Sequence, residues 1–387
     1  MRYQNKNTLV ALVLWVVAST ATAQLTAVVA VEPTAKTAAN TIARSSMESG
    51  LSQAVGQAVS VSTSDDLTNI MRATRTGDHA IFIGPAQVAA SALQRGYELV
   101  GATQKSVKYV LVGRSKVDQL SAMKGGRLYL PQQDSVYTYM ARGMLNQAGL
   151  SFKDLKSVHY GKYPDAGLAA LVLGTTDATV VSESVWADWS AQHPGVARLL
   201  ATSQPVPGGF SVVVSQALPQ EQRTRIAKWF TTQSGSTGLP VATVQPAAGE
   251  YQRVAELGFF TPTTLPGVQV VTAEDVRKLQ AQGALMVDTR TEKEFQTKRV
   301  KGALHAAYVE KSLKDVVFDV SLDDFSALAR VPGLGPDKAV IFACNGAECW
   351  KSYKAAKDAK SKGFKNVYWF RGGLPEWVAT GLPTESN

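Results

Sequence analysis

The chain has 387 residues, 45% of them hydrophobic and 18% charged, with a formal net charge of +9 and a pI near 9.4. That length predicts two domains, and the hydrophobic share is enough for a core in each. The basic residues are scattered and not interleaved with aromatics, which argues against nucleic acid as a partner and leaves solubility or a mild preference for anions.

The first 23 residues read as a leader rather than as fold. Arg2 and Lys6 make a basic start, "TLVALVLWVVA" is an apolar run too short for a comfortable membrane span, and Ala21, Thr22 and Ala23 supply the small residues of a cleavage site. The expectation is a signal peptide cleaved near Ala23 and a mature periplasmic protein; the alternative is an uncleaved anchor. Export would put the cysteines in an oxidising compartment, where a disulfide persists.

From residue 25 strands alternate with helices. "LTAVVAVEP" (25–33) reads as a short buried strand, and 36–55 carries apolar residues at helical spacing. "AVSVSTS" (58–64) alternates as a strand, "DDLTNIMRATRTG" (65–77) is a helix with Asp at its start and Gly at its end, and "HAIFIG" (79–84) is a buried strand. Further strands are expected over 107–113, 124–131, 155–161, 177–183 and 207–218, and helices over 136–148, 163–174 and 219–233. This alternation predicts a parallel α/β architecture. Residues 233–267 are rich in Gly, Pro, Ser and Thr and mark a boundary, with a short helix (251–260) that belongs to the first unit. The break is expected at "TPTTLPG" (261–267), dividing the mature chain into 24–262 and 263–387.

The second unit is again α/β. A helix over 272–283 has a Thr cap and acidic residues in its first turn; strands follow over 284–290, 338–344 and 366–370, and helices over 350–363 and near the C-terminus. Lys354, Lys357 and Lys360 read as a solvated helix face. The 338–344 strand delivers Cys344 at its carboxyl end, where open α/β sheets bind ligands. Asn345, Gly346, Ala347 and Glu348 form the loop to Cys349, the only other cysteine. Gly346 lets the backbone curl toward an anion-binding nest, and the helix starting near Cys349 or Trp350 aims its positive end at the loop, which lowers a thiol's pKa. Trp350 reads as core.

Residues 268–384 resemble a rhodanese domain, the sulfurtransferase fold, a central parallel sheet flanked by helices. The matching landmarks are "VDTR" (287–290), "VKGALHA" (300–306), the strand-Cys-loop-helix over 338–360 and "GGLPEW" (372–377). The resemblance implies that Cys344 carries a persulfide and that Asp288 and Arg290 brace the site; the bland alternative for that pair is a surface ion bridge. His305 reads as a loop residue rather than a general base. The loop departs from the family: Gly346 comes one place early, Cys349 stands where Arg or Thr is usual, and Glu348 adds a charge that would repel a dianionic donor and raise the thiol pKa. The C-x4-C-W pattern is similar to that of a small group of exported rhodanese-like proteins.

Three readings of the two thiols stay open. Zinc is the poorest, because two cysteines are two ligands and none of the four histidines has ligand spacing, so neither metal nor cofactor is expected. A static disulfide is the structural reading. The favoured one is a redox or sulfur-relay pair, in which Cys344 takes sulfane sulfur and Cys349 attacks it. That needs a sulfur donor, and a thiol acceptor or periplasmic reductant.

Residues 25 to about 260 resemble the periplasmic solute-binding domains of phosphonate- and phosphate-type transporters, through 65–93, 126–150 and 163–183. The resemblance implies two α/β lobes closing on a small anionic ligand at a hinge, and a possible transporter partner. Helix N-termini and hydroxyls would hold an oxyanion, with Gly84, Gln87, Ser135, Tyr137, Tyr163 and Ser182 as candidate contacts; each is also explicable as a cap or turn residue. The expected protein is a sulfurtransferase or thiol-redox enzyme coupled to an anion-binding domain. The alternative is a non-catalytic binding protein whose rhodanese unit only docks a partner.

Overall fold

The computed structural model describes residues 24–32 and 43–387, so the expected leader and the first part of the 36–55 helix lie outside the described residues. Leu25–Ala30 (β1) and Val59–Ser64 (β2) pair in parallel, and Arg44–Val55 (α1) between them buries Met47, Leu51 and Val55 at i, i+4 spacing. Leu67–Thr76 (α2) is capped by Asp66, whose carboxylate accepts the Asn69 N–H, and ends at Gly77 in the left-handed region. Ile81–Gly84 (β3) is wholly buried and leads into Ala86–Leu93 (α3). Tyr97–Val107 (β4) is a long strand absent from the sequence reading; it is bulged, and Gln104, Lys105 and Ser106 break its apolar alternation.

The chain then crosses to a second lobe: Tyr109–Arg114 (β5), Arg127–Leu130 (β6), Val136–Gln147 (α4), Ser157–Tyr160 (β7), Asp165–Leu173 (α5), Ala178–Ser182 (β8), Glu183–Gln192 (α6) and Ala197–Thr202 (β9). It returns through Val206–Ser215 (β10), Gln220–Thr232 (α7) and Ala248–Glu256 (α8). The two sheets have orders β2-β1-β3-β10-β4 and β7-β6-β8-β5-β9. In each, an antiparallel strand arriving from the other lobe, β10 or β5, lies against a parallel trio. The two crossings are laced together: Ser203 N–H donates to the Tyr109 carbonyl (2.8 Å), and Tyr109 N–H donates to Ser203 Oγ (3.0 Å).

The second domain runs through Gln269–Val270 (β11), Ala273–Ala281 (α9), Leu285–Asp288 (β12), Glu292–Thr297 (α10), Arg299–Val300 (β13), Leu304–His305 (β14), Val340–Ala343 (β15), Trp350–Ser361 (α11), Val367–Phe370 (β16), Gly373–Ala379 (α12) and Thr384–Glu385 (β17). Strands β11-β16-β15-β12-β14 form an all-parallel sheet. Both faces are buried, Val340 and Phe342 on one side and Ile341 and Ala343 on the other, which is why β15 reads as one continuous apolar run.

One expectation fails on α11. Lys354 is fully buried, not solvated: its ammonium stands 2.7 Å from Glu310 and donates to Ser312 Oγ at 2.8 Å, above the Phe318 ring. The irregular excursion between β14 and β15 covers that side of the helix and brings its own acidic partners. Lys357 and Lys360 remain exposed.

Candidate functional site

Cys344 directly follows β15, and Cys349 is the N-cap of α11. They are joined by a disulfide, with Cα atoms 6.1 Å apart. Both are buried, at 2% and 7% exposure, so reagents reach them only through the space around the loop. Gly346 turns the loop at φ +88°, a conformation that a side chain disfavours. The "GGLP" segment packs straight onto it: Leu374 N–H donates to the Cys344 carbonyl at 3.0 Å, and a Cβ on Gly373 would collide with that same carbonyl.

Asp288 and Arg290 form a buried pair, not a surface bridge. Arg290 grips both Asp288 oxygens (2.6 to 3.0 Å) and reaches Asn345 Oδ1 at 3.4 Å, so the pair touches the loop. Asn345 also donates to Glu294 at 2.7 Å. Burial pushes the Glu294 carboxyl up, but hydrogen bonds from Thr291 and the charge of Arg72 outweigh it and hold it below its ordinary range. His305 lies in β14, with one ring nitrogen at the Arg290 carbonyl (2.9 Å) and the other at Glu292 (2.7 Å).

The loop faces the first domain. Thr261 donates its N–H and its hydroxyl to the Ala347 carbonyl (2.8 and 2.7 Å), and Trp350 Nε1–H donates to the Phe259 carbonyl (2.7 Å). Trp350 is therefore core, but core shared between domains. Glu348 is paired with Arg95, in the turn that follows α3, and Arg72 of α2 stands 3.4 Å from Glu294. Lys314 Nζ binds the buried Asp134 at 2.6 Å. These first-domain partners have no signature in the sequence, since nothing local sets Arg72, Arg75 and Arg95 apart until the domains are docked.

Two cavities border the loop. One of about 780 Å³ lies between Arg75, Arg95, Lys293 and the 345–348 backbone. A second, of about 300 Å³, touches Cys344, Cys349, Arg75 and Lys351. Burial lowers the Lys351 ammonium below its ordinary value; Glu294 and Glu310 oppose that shift, while Arg72 and Arg75 add to it. Among the described residues no group of His, Cys, Asp and Glu could hold a metal ion.

In the first domain the candidate contacts divide. Gln87 and Ser135 are buried, and Gln87 reaches the start of α4 by donating to the Asp134 carbonyl at 3.1 Å, while Tyr137 stacks edge-on against Tyr109, 5.1 Å between centroids. Ser135 is the α4 N-cap, bonded to Thr138, and Ser182 caps α6. Tyr163 is exposed, and Gly84 is packed against Ala30 and Val88. The residue missing from the sequence reading is Glu32. Its Oε1 accepts from Val136 N–H (2.7 Å) and Gln87 Nε2 (2.8 Å), the position an oxyanion would take at a helix N-terminus. Burial pushes this carboxyl up to about 7, aided by Asp134 and opposed by those two hydrogen bonds.

Two lobes joined by laced crossings, followed by a parallel sheet with a cysteine loop at its centre, define a binding-protein-like unit fused to a rhodanese-like one. The family model for the periplasmic substrate-binding protein of phosphonate ABC transporters matches residues 29–248, and the chain belongs to that family. A rhodanese-like domain follows, matched over residues 272–380. Similar solved structures include PhnD1 from Prochlorococcus marinus (MIT 9301) in complex with methylphosphonate, at 16% identity and a TM-score of 0.47, covering 60% of this chain and 96% of that one. Others are XAC2383 from Xanthomonas citri bound to ATP (14%, 0.49, 61% and 96%) and a binding protein component of a phosphonate ABC transporter from Pseudomonas aeruginosa (15%, 0.44, 67% and 94%). The search of curated proteins found no match.

Proposed function

We propose that this is an exported thiol-redox protein of the sulfurtransferase type, in which Cys344 carries sulfur and Cys349 resolves it. The observation that supports this reading above all is the Cys344–Cys349 disulfide at the end of the central strand, bordered by a cavity. A periplasmic thiol reductant supplies two electrons and opens the disulfide. The Cys344 thiolate attacks the terminal sulfur of a persulfide donor; the donor's S–S bond breaks, its thiolate takes a proton, and Cys344 is left as a persulfide. The Cys349 thiolate then attacks Cys344 Sγ, the outer sulfur leaves as hydrosulfide with a proton from water, and the disulfide re-forms. An acceptor thiol that takes the outer sulfur instead leaves both cysteines reduced. Asp288 and Arg290 hold the loop through Asn345 in this scheme. A leader cleaved near Ala23 belongs to the same reading, because the family is one of periplasmic proteins and an oxidising compartment returns the pair to its disulfide. The test is sulfide release: the reduced protein given a low-molecular-weight persulfide releases hydrosulfide as its thiols disappear, and Cys344→Ser releases none. Equal release from both proteins defeats the reading.

The family's description favours a second role for the first domain, as receptor for a small anionic ligand on behalf of a transporter. The ligand would displace the Glu32 carboxylate from Val136 N–H and Gln87. Thermal-shift measurements with methylphosphonate, phosphate and ethanesulfonate test it; no shift with any of them removes it.

A further inference from the structure

The smaller cavity carries charge that the protein leaves unanswered. Most cations around it are already committed: Arg72 to Asp78 and Glu294, Arg290 to Asp288, and Lys314 to Asp134. The carboxylates that line it are committed too: Glu348 to Arg95, Glu294 to Asn345 and Arg72, Glu310 to Lys354, and Asp66 to the Asn69 N–H at the start of α2. Arg75 of α2 and Lys351 of α11 are different. Neither side chain makes a hydrogen bond or ion pair among the described residues, and Arg75 Nε is buried without a partner. Both line the cavity of about 300 Å³ that touches the disulfide, and Arg75 also lines the larger chamber beside it. Two like charges from different domains, partly desolvated and facing one space, repel each other and cost stability unless an anion enters.

We infer that the two domains together build an anion seat against the Cys344–Cys349 disulfide, with Arg75 and Lys351 as its cations, and that it selects small thiols bearing a carboxylate or sulfonate over neutral ones. The inference rests on the disulfide chemistry proposed above. The seated thiol loses its proton to water, and its sulfur attacks the Sγ of one cysteine. The S–S bond breaks, a mixed disulfide forms, and the other cysteine leaves as a thiolate. A second thiol molecule attacks the mixed disulfide, so two molecules of the small thiol supply the two electrons and leave as their own disulfide. The larger chamber leaves room for the body of a bulkier thiol. Arg75 is here a positioning residue, and the solute-binding-like domain contributes to the rhodanese-like site.

The test uses the full, oxidised protein and two probes, 2-mercaptoethanesulfonate and 2-mercaptoethanol, each rate divided by that thiol's rate with free cystine. The wild type opens about tenfold or more faster with the sulfonate. Arg75→Gln and Lys351→Gln bring the ratio to about one, and Arg75→Lys keeps most of it. A ratio of one in the wild type, or an unchanged ratio in Arg75→Gln, overturns the seat. A second arm titrates ethanesulfonate, which has no thiol, into the oxidised protein by calorimetry. If neither thiol opens the disulfide, the chemistry fails and this arm alone decides: binding lost in Arg75→Gln upholds the seat, and no binding to the wild type refutes it.

Discussion

Arg95 and Glu348, 253 residues apart in sequence, form an ion pair that ties the solute-binding-like domain to the cysteine loop of the rhodanese-like domain. The pair alters what Glu348 means. From the sequence it is a negative charge beside a thiol; in the fold its carboxylate is matched by a guanidinium, and Arg75 and Lys351 are among the residues that line the space next to the disulfide.

Replacing Glu348 by Gln leaves Arg95 part-buried without a counter-charge. Hydrogen bonds to charged groups contribute about 1.5–3 kcal/mol, so Glu348→Gln should loosen domain docking by that order. Denaturant unfolding should then separate into two transitions, or show a lower first midpoint, and the disulfide should be reduced faster. An unaltered unfolding curve and reduction rate would show that the pair contributes nothing to docking.

Lys354→Ala should be among the most damaging substitutions in the second domain. It strands Glu310 beside Asp323, which lies 3.9 Å from the ammonium, and breaking such a buried pair costs about 3–5 kcal/mol. Urea midpoints followed by Trp fluorescence measure the loss, and a drop no larger than that of Lys357→Ala contradicts the burial argument.

These cases show where sequence reasoning reaches and where it stops. The cysteine strand, its loop and the helix behind it were legible, because a run of apolar residues buried on both faces, a Gly and a helix start are local signals. The "VDTR" pair was legible as a pair but not as buried, since burial depends on Lys298 and Asn345, brought in from elsewhere in the chain. Lys354 sits at a helical position like its exposed neighbours, and only the excursion that covers it distinguishes the three. Glu32 follows a strand in an ordinary "VEP", and its meaning comes from α4, some hundred residues later. The long β4 was hidden by bulges and polar residues. Docking between domains leaves no periodicity at all, so Arg75 and Arg95 could not be found from the sequence.

Glu32 predicts a pH dependence of definite sign. Unfolded, its carboxyl ionises near 4.5; folded, burial holds its proton up to about 7. The folded state therefore binds more protons in that window. The stability due to this group is fully present below 4.5 and is lost as pH rises through 7. Asp134, Tyr109 and Tyr137 face it and are unchanged in Glu32→Gln, so the stability of that variant relative to the wild type should climb across this window. A flat difference means that Glu32 titrates like an exposed carboxylate.

The central claim is that Cys344 takes sulfur and Cys349 resolves it. The most direct measurement is intact-protein and peptide mass spectrometry of Cys349→Ser after exposure to a persulfide donor. The account predicts a species one sulfur atom heavier, localised to Cys344, that persists in Cys349→Ser and is short-lived in the reduced wild type. A Cys344 that stays an unmodified thiol with persulfide, thiosulfate and polysulfide donors alike would contradict it, leaving the Cys344–Cys349 bond a structural disulfide.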